Sequence, residues 1–88
     1  MENEFEFYGL EDYQEEIAKK LYEENKRRMG SYTLEEVSVE MAECWRDDTD
    51  DDEYREFLEE AIENGAELYS LVDHLGDFTQ PIGEVAVY

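Results

Sequence analysis

The stretch NGAELYSLVDHLG, residues 64–76, carries the reading on which the fold turns. Its apolar residues Leu68, Leu71, Val72 and Leu75 recur as they would along one face of a helix. Asn64-Gly65 closes the segment before it, and Gly76 is a natural stop after it. The spacing predicts a short helix over about 66–75, and with it a helical core.

Working upstream, Tyr54, Phe57, Leu58, Ala61 and Ile62 make an amphipathic stripe that predicts a helix over 52–64, with Asp50 or Asp51 as its cap. Before it, Leu34, Val37, Met41, Cys44 and Trp45 predict a helix over 34–47. That helix would open with a capping box (Thr33 and Glu36) and a hydrophobic staple between Tyr32 and Val37. Tyr13, Ile17 and Leu21, with Ala18, Tyr22 and Met29, predict a first helix over 11–29, acidic in its first turns and basic at Lys26, Arg27 and Arg28. Glu4 to Tyr8 alternates acidic with aromatic residues, and beyond Pro81 the tail IGEVAVY puts Val85 and Val87 on one side of an extended segment. The expected fold class is mainly α. It is a compact single domain over 1–88 of three to four helices, with short extended terminal arms that could pair as a two-stranded ribbon.

Charge is the second decisive feature. Twenty-seven Asp and Glu face seven Lys and Arg, a formal −20 in 88 residues. A small domain needs a net charge of only roughly 2–8 for solubility, and the excess repels itself in the compact state. Seven Tyr, four Phe and one Trp argue against plain acidic disorder. A single cysteine excludes an internal disulfide. MENEFEFYGL has neither the basic nor the apolar region of a signal peptide, and no apolar run is long enough to span a bilayer. These features predict a cytoplasmic protein without membrane contact. Direct binding to nucleic acid is opposed by charge.

The charge is unevenly placed. Five of the seven basic residues fall within Lys19–Arg28, a stretch that could complement the acidic mass within the fold or across a homodimer. The block 47–60 holds nine acids and only Arg55. On the predicted third helix, Asp52, Glu56, Glu59 and Glu63 form one ridge, successive carboxylates standing about 5–6 Å apart along the axis. Phosphates on one DNA strand recur about every 3.4 Å of axis, close enough for flexible Lys and Arg side chains to accept either array. An acidic helix face is ordinarily just solvated. Here like charges repeat at i,i+3 and i,i+4 without relief, and local choices that oppose folding mark places where function intervenes. The candidate partner-binding residues are Asp48, Asp50, Asp51, Asp52, Glu56, Glu59, Glu60 and Glu63, with Tyr54 assigned to the core. The fallback surface is the acidic N-terminal arm and first turns of helix one, Glu2 to Glu16.

Other constellations carry less. Asp48, Asp50, Asp52, Glu56 and Glu59 fall at EF-hand ligand spacing, but Glu53 occupies the position that needs glycine, and Tyr54–Ile62 reads as helix. His74 is the only histidine and falls in the last turn of the predicted fourth helix, where it would act as a C-terminal charge or hydrogen-bond partner. Cys44 is expected to be a buried small hydrophobe beside Trp45. No catalytic constellation, cofactor motif or metal-ligand set is expected.

In size, charge and aromatic content, though in no alignable motif, the chain resembles the small acidic proteins with which bacterial viruses and mobile elements disable host nucleases and other DNA-binding proteins. The resemblance implies a target such as a restriction enzyme, a CRISPR effector, a repair glycosylase or a nucleoid protein. The expected function is non-enzymatic: a DNA mimic that inhibits a basic nucleic-acid-binding protein. The alternative is an acidic helical adaptor, or a transcription-associated module, that meets its partner mainly through apolar contacts.

Overall fold

A computed structural model describes residues 4–88; Glu2 of the acidic arm lies outside them. The chain runs β1 (Phe5–Tyr8), α1 (Asp12–Glu23), β2 (Tyr32–Val37), α2 (Val39–Asp48), α3 (Asp52–Glu63), β3 (Glu67–Leu75) and β4 (Phe78–Val87). The strands form one antiparallel sheet in the order β1-β4-β3-β2. This overturns the mainly helical expectation. The domain is mixed α/β, with three helices and a substantial four-stranded sheet among the described residues.

The sheet is covered on both faces. Ala18 and Leu21 of α1 pack on Leu71 and Val85, with Phe5, Phe7, Leu34 and Tyr69 around them. On the other face Phe57, Leu58 and Ala61 of α3 and Ala42 of α2 pack on Leu68 and Ala86. Ladder register sorts the side chains accordingly: Phe7, Val85 and Tyr69 are cross-strand partners on the α1 face, and Ala86 and Leu68 on the α2–α3 face.

The segment 66–75 is thus a central strand rather than a helix. Leu68, Ser70, Leu71 and Val72 are all buried, because a strand covered on both sides has no solvent face and loses the alternation that would betray it. Gly76-Asp77 is not a helix stop but a two-residue hairpin turn, with φ +64° at the glycine, the conformation for which such turns select glycine. The capping box at Thr33 and Glu36 is also overturned, since Tyr32–Val37 is β2 and pairs with Leu68–Asp73. Ser38 is the cap of α2 instead, its hydroxyl accepting from the Met41 amide at 3.2 Å. The first helix ends at Glu23, six residues early, where Asn25 turns left-handed at φ +52°. Lys26, Arg27 and Arg28 therefore lie in the connection to β2.

The arm and tail do pair, Phe5 opposite Val87 and Tyr8 opposite Glu84, but as one edge of the larger sheet. Gly83 makes this join possible. A Cβ there would overlap the Tyr8 carbonyl oxygen and come within 2.8 Å of Leu10 Cδ2. Beyond β1 the outer half of the β3–β4 hairpin continues with β2 on one side only. The register slips between Leu71 and Val72, and Pro81 stands where β4 has no second neighbour to hydrogen-bond.

Candidate functional site

The helical hairpin α2–α3 gathers the acidic block into one layer. Residues 39–63 hold twelve acids against Arg46 and Arg55, a net of −10 and half of the chain's excess. Both arginines are already engaged. Arg46 pairs with Asp47 at 3.2 Å; Arg55 pairs with Asp52 at 2.7 Å and donates to the Thr49 carbonyl at 2.5 Å. The α1 helix is less acidic: Asp12–Glu23 carries four acids against Lys19 and Lys20, a net of −2, and Lys26, Arg27 and Arg28 follow in the connection to β2. Acidic charge is therefore densest in the α2–α3 layer, and nine further acids lie outside residues 11–28 and 39–63.

The apolar stripe of α3 fixes which carboxylates face out. Phe57, Leu58 and Ala61 are buried against the sheet, which leaves Asp52, Glu56, Glu59, Glu60 and Glu63 exposed. Asp48 ends α2, and Asp50 lies exposed in the short link Thr49–Asp51. The candidate residues thus share a layer, but two of them are not free. Asp51 caps α3, accepting from the Glu53 and Tyr54 amides at 3.0 and 3.3 Å, and also accepts from the Tyr8 hydroxyl. The Tyr8 bond, then the Tyr54 amide, holds its carboxyl below the usual aspartate range. Asp51 contributes charge, yet its oxygens already serve as a structural acceptor. Asp52 is shared with Arg55, which leaves Glu56, Glu59, Glu60 and Glu63 as the unpaired part of the ridge among the described residues. Sequence reasoning missed Glu40, Glu43 and Asp47, which add exposed acids along α2. Their i, i+3, i+7 spacing was the available signal.

Tyrosine takes the place of the missing bases. Tyr8 donates to Asp51, Tyr22 to Glu67, Tyr54 to Glu84 at 2.6 Å and Tyr88 to Glu6 at 3.4 Å. Four of the seven tyrosines thus satisfy carboxylates. The bond to Asp51 and that to Glu67 are the main reasons the Tyr8 and Tyr22 hydroxyls rise to about 12. Burial chiefly lifts Tyr88 to about 12. Tyr54, packed on Tyr8 of β1 with ring centroids 4.8 Å apart, is also raised, by burial first and Glu84 second. Burial pushes the Glu84 carboxyl up, and the Tyr54 bond partly opposes that.

Two further expectations are corrected. Cys44 is exposed on α2, because Ala42 and Trp45 rather than Cys44 face the core. His74 sits on β3, its Nε2 2.8 Å from the Thr33 hydroxyl. The EF-hand reading fails on geometry: α3 begins at Asp52, so Glu56 and Glu59 belong to a helix and cannot close a loop around an ion. No group of three or more His, Cys, Asp or Glu among the described residues is arranged to hold a metal. Among those residues, too, no helix is long and apolar enough to cross a membrane.

Comparison with protein-family models, with curated proteins and with solved structures gives no match to this chain.

Proposed function

We propose that this protein is a non-enzymatic inhibitor that presents the α2–α3 layer to a basic nucleic-acid-binding protein as a stand-in for phosphates. The observation that carries this reading is the concentration of charge in one layer: net −10 in the 25 residues of α2–α3, against −2 in the twelve of α1. Acidity needed only for solubility has no reason to collect on one face. Here it does so despite like-charge neighbours along α3 that oppose folding. Glu56, Glu59, Glu60 and Glu63 form the free centre of the array, Asp48 and Asp50 extend it at the helical turn, and Asp51 and Asp52 add field while bonded internally.

Affinity purification of partners, repeated with excess duplex DNA and at raised salt, tests the reading. Expected are basic, nucleic-acid-binding partners released by DNA and lost as salt screens the charge. The variant D52N/E56Q/E59Q/E63Q should fail to retain them. Partners unrelated to nucleic acid, or retention indifferent to DNA and to the quadruple substitution, would refute it.

A further inference from the structure

The α2–α3 hairpin does not cover the whole of its face of the sheet. A groove of about 280 Å³ remains open beside α2. Met41 and Trp45 form its wall, Val72 and Pro81 its floor, and Glu35 and Glu36 of β2 its acidic rim; no basic residue lines it. Met41 is 49% exposed and Val39, on the same helix, 58%, large apolar side chains left in water within the acidic layer.

The rim coincides with a free sheet edge. β2 is hydrogen-bonded to β3 on one side only. In an antiparallel ladder the amide and carbonyl of one residue point to the same side, and successive residues alternate. Tyr32 exchanges bonds with Met29 at 3.0 and 2.9 Å, which turns it away from β3, while the Ser31 carbonyl accepts from His74 on β3. By that alternation Leu34 and Glu36 also point outward, and no other backbone bond among the described residues engages them. Native edges are usually guarded by Lys, Pro, bulges or shortness. β2 is six residues long with no Pro, and its register with β3 is unbroken. Its guard is Glu35 and Glu36, which repel an acidic strand and attract a basic one.

We infer that β2 accepts an extended basic segment of the partner as a fifth strand, one apolar side chain of which enters the groove beside Met41 and Trp45. Main-chain bonds to Leu34 and Glu36 would supply affinity, and alternate side chains would supply specificity: an aliphatic or aromatic anchor on the groove face beside Glu35, and lysines or arginines on the opposite face beside Glu36. A second copy of this chain is disfavoured as occupant, since it would bring another −20 to the same edge. The inference rests on the proposed basic partner and adds a sequence-selective contact to the distributed charge of α2–α3.

Trp45 is the only tryptophan, so its emission reports the groove without labelling. The probe is a short synthetic peptide alternating lysine with valine or leucine, compared with its glutamate counterpart and with a copy N-methylated at alternate backbone amides. The lysine peptide should shift Trp45 emission and the amide resonances of Leu34 and Glu36. N-methylation, which leaves charge intact but blocks strand pairing, should weaken binding at least tenfold, and the glutamate peptide should not bind. E35K/E36K should abolish the lysine peptide's effect, while E56Q/E59Q/E63Q should retain the Trp45 response. Equal binding of the N-methylated peptide, or resonance shifts confined to the acids of α2 and α3, would overturn the strand-addition reading. So would a concentration-dependent dimer that protects the Leu34 and Glu36 amides. If E35K/E36K captures the same partners as the parent while D52N/E56Q/E59Q/E63Q does not, strand addition fails and charge mimicry stands.

Discussion

Neutralising the free part of the α3 ridge, by E56Q/E59Q/E63Q, should stabilise the protein, and the structure sets the size of the gain. Asp52 is left in place because it holds Arg55 at 2.7 Å and sits in the first turn, where an acid suits the helix dipole. The triple change relieves Asp52–Glu56, Glu53–Glu56, Glu56–Glu59, Glu56–Glu60, Glu59–Glu63 and Glu60–Glu63, all like-charged at i,i+3 or i,i+4. At about 0.2–0.5 kcal/mol each these come to roughly 1–3 kcal/mol at low ionic strength. Removing Glu63 from the last turn, where an acid opposes the dipole, contributes in the same direction. For a domain of this size about 1 kcal/mol moves the melting temperature by roughly 4–8 °C. Thermal melts followed by circular dichroism should therefore rise by about 4–24 °C at ~0.01 M salt. The difference should nearly vanish at ~1 M, where the Debye length falls to about 3 Å. A gain independent of salt, or a lower melting temperature, would show that the ridge carboxylates do not repel one another as their spacing requires.

Three further outcomes follow from the fold. Leu71→Ala should cost about 2–5 kcal/mol by denaturant titration, because Leu71 is fully buried under α1 in the central strand; a surface-like cost below ~0.5 kcal/mol would contradict that burial. Gly83→Ala should detach β1 from β4, since its methyl would meet Tyr8 backbone that cannot yield as a side chain does; amide exchange at Glu6 and Ala86, which face one another across the two strands, should accelerate, and unchanged protection would refute the close approach. Tyr8, Tyr22 and Tyr88 stand at about 12 in the fold against an ordinary value of about 10. The folded state thus binds these protons more tightly, so their stabilisation is whole below pH ~10 and is lost as pH climbs toward ~12. Absorbance titration of the phenolates should show them ionising with unfolding, and independent titration of every tyrosine near pH ~10 would exclude the carboxylate bonds.

How far the sequence discloses this molecule depends on which faces each segment exposes. The α3 helix is read within a residue, since Tyr54, Phe57, Leu58, Ala61 and Ile62 are covered on one side only and Asp51 and Asn64-Gly65 bound it. The outward placement of Glu56, Glu59 and Glu63 follows from that same stripe. The pairing of Phe5–Tyr8 with the tail is visible for the complementary reason, period two at an edge. The central strand β3 hides because Leu68, Leu71, Val72 and Leu75 satisfy a helical template while also standing on both faces of a sheet. What could have exposed it is Gly76-Asp77 between two runs rich in β-formers, a hairpin signature. At β2, Thr33 and Glu36 imitate a helix start, but Tyr32, Thr33 and Val37 are themselves β-favouring, and Ser38 offers a second cap. The commitments of Asp51 to Tyr8 and of Asp52 to Arg55 depend on side-chain placement that composition cannot reveal. The groove and the outward amides of β2 exist only once the strand does.

The strand order has a consequence for the chain as it is made. β4 is the last element in sequence yet lies second in the sheet, between β1 and β3. β1, built first, therefore has no neighbour until Phe78–Val87 has emerged, and at about 5–20 residues per second it waits for several seconds with Phe5, Phe7 and Tyr8 uncovered. Contacts that join the first strand to the last are also the slowest to close. An unpaired strand is open to pairing with another chain, and Glu4 and Glu6 beside those aromatic residues, in a chain of net −20, set like charges against that encounter while β1 waits.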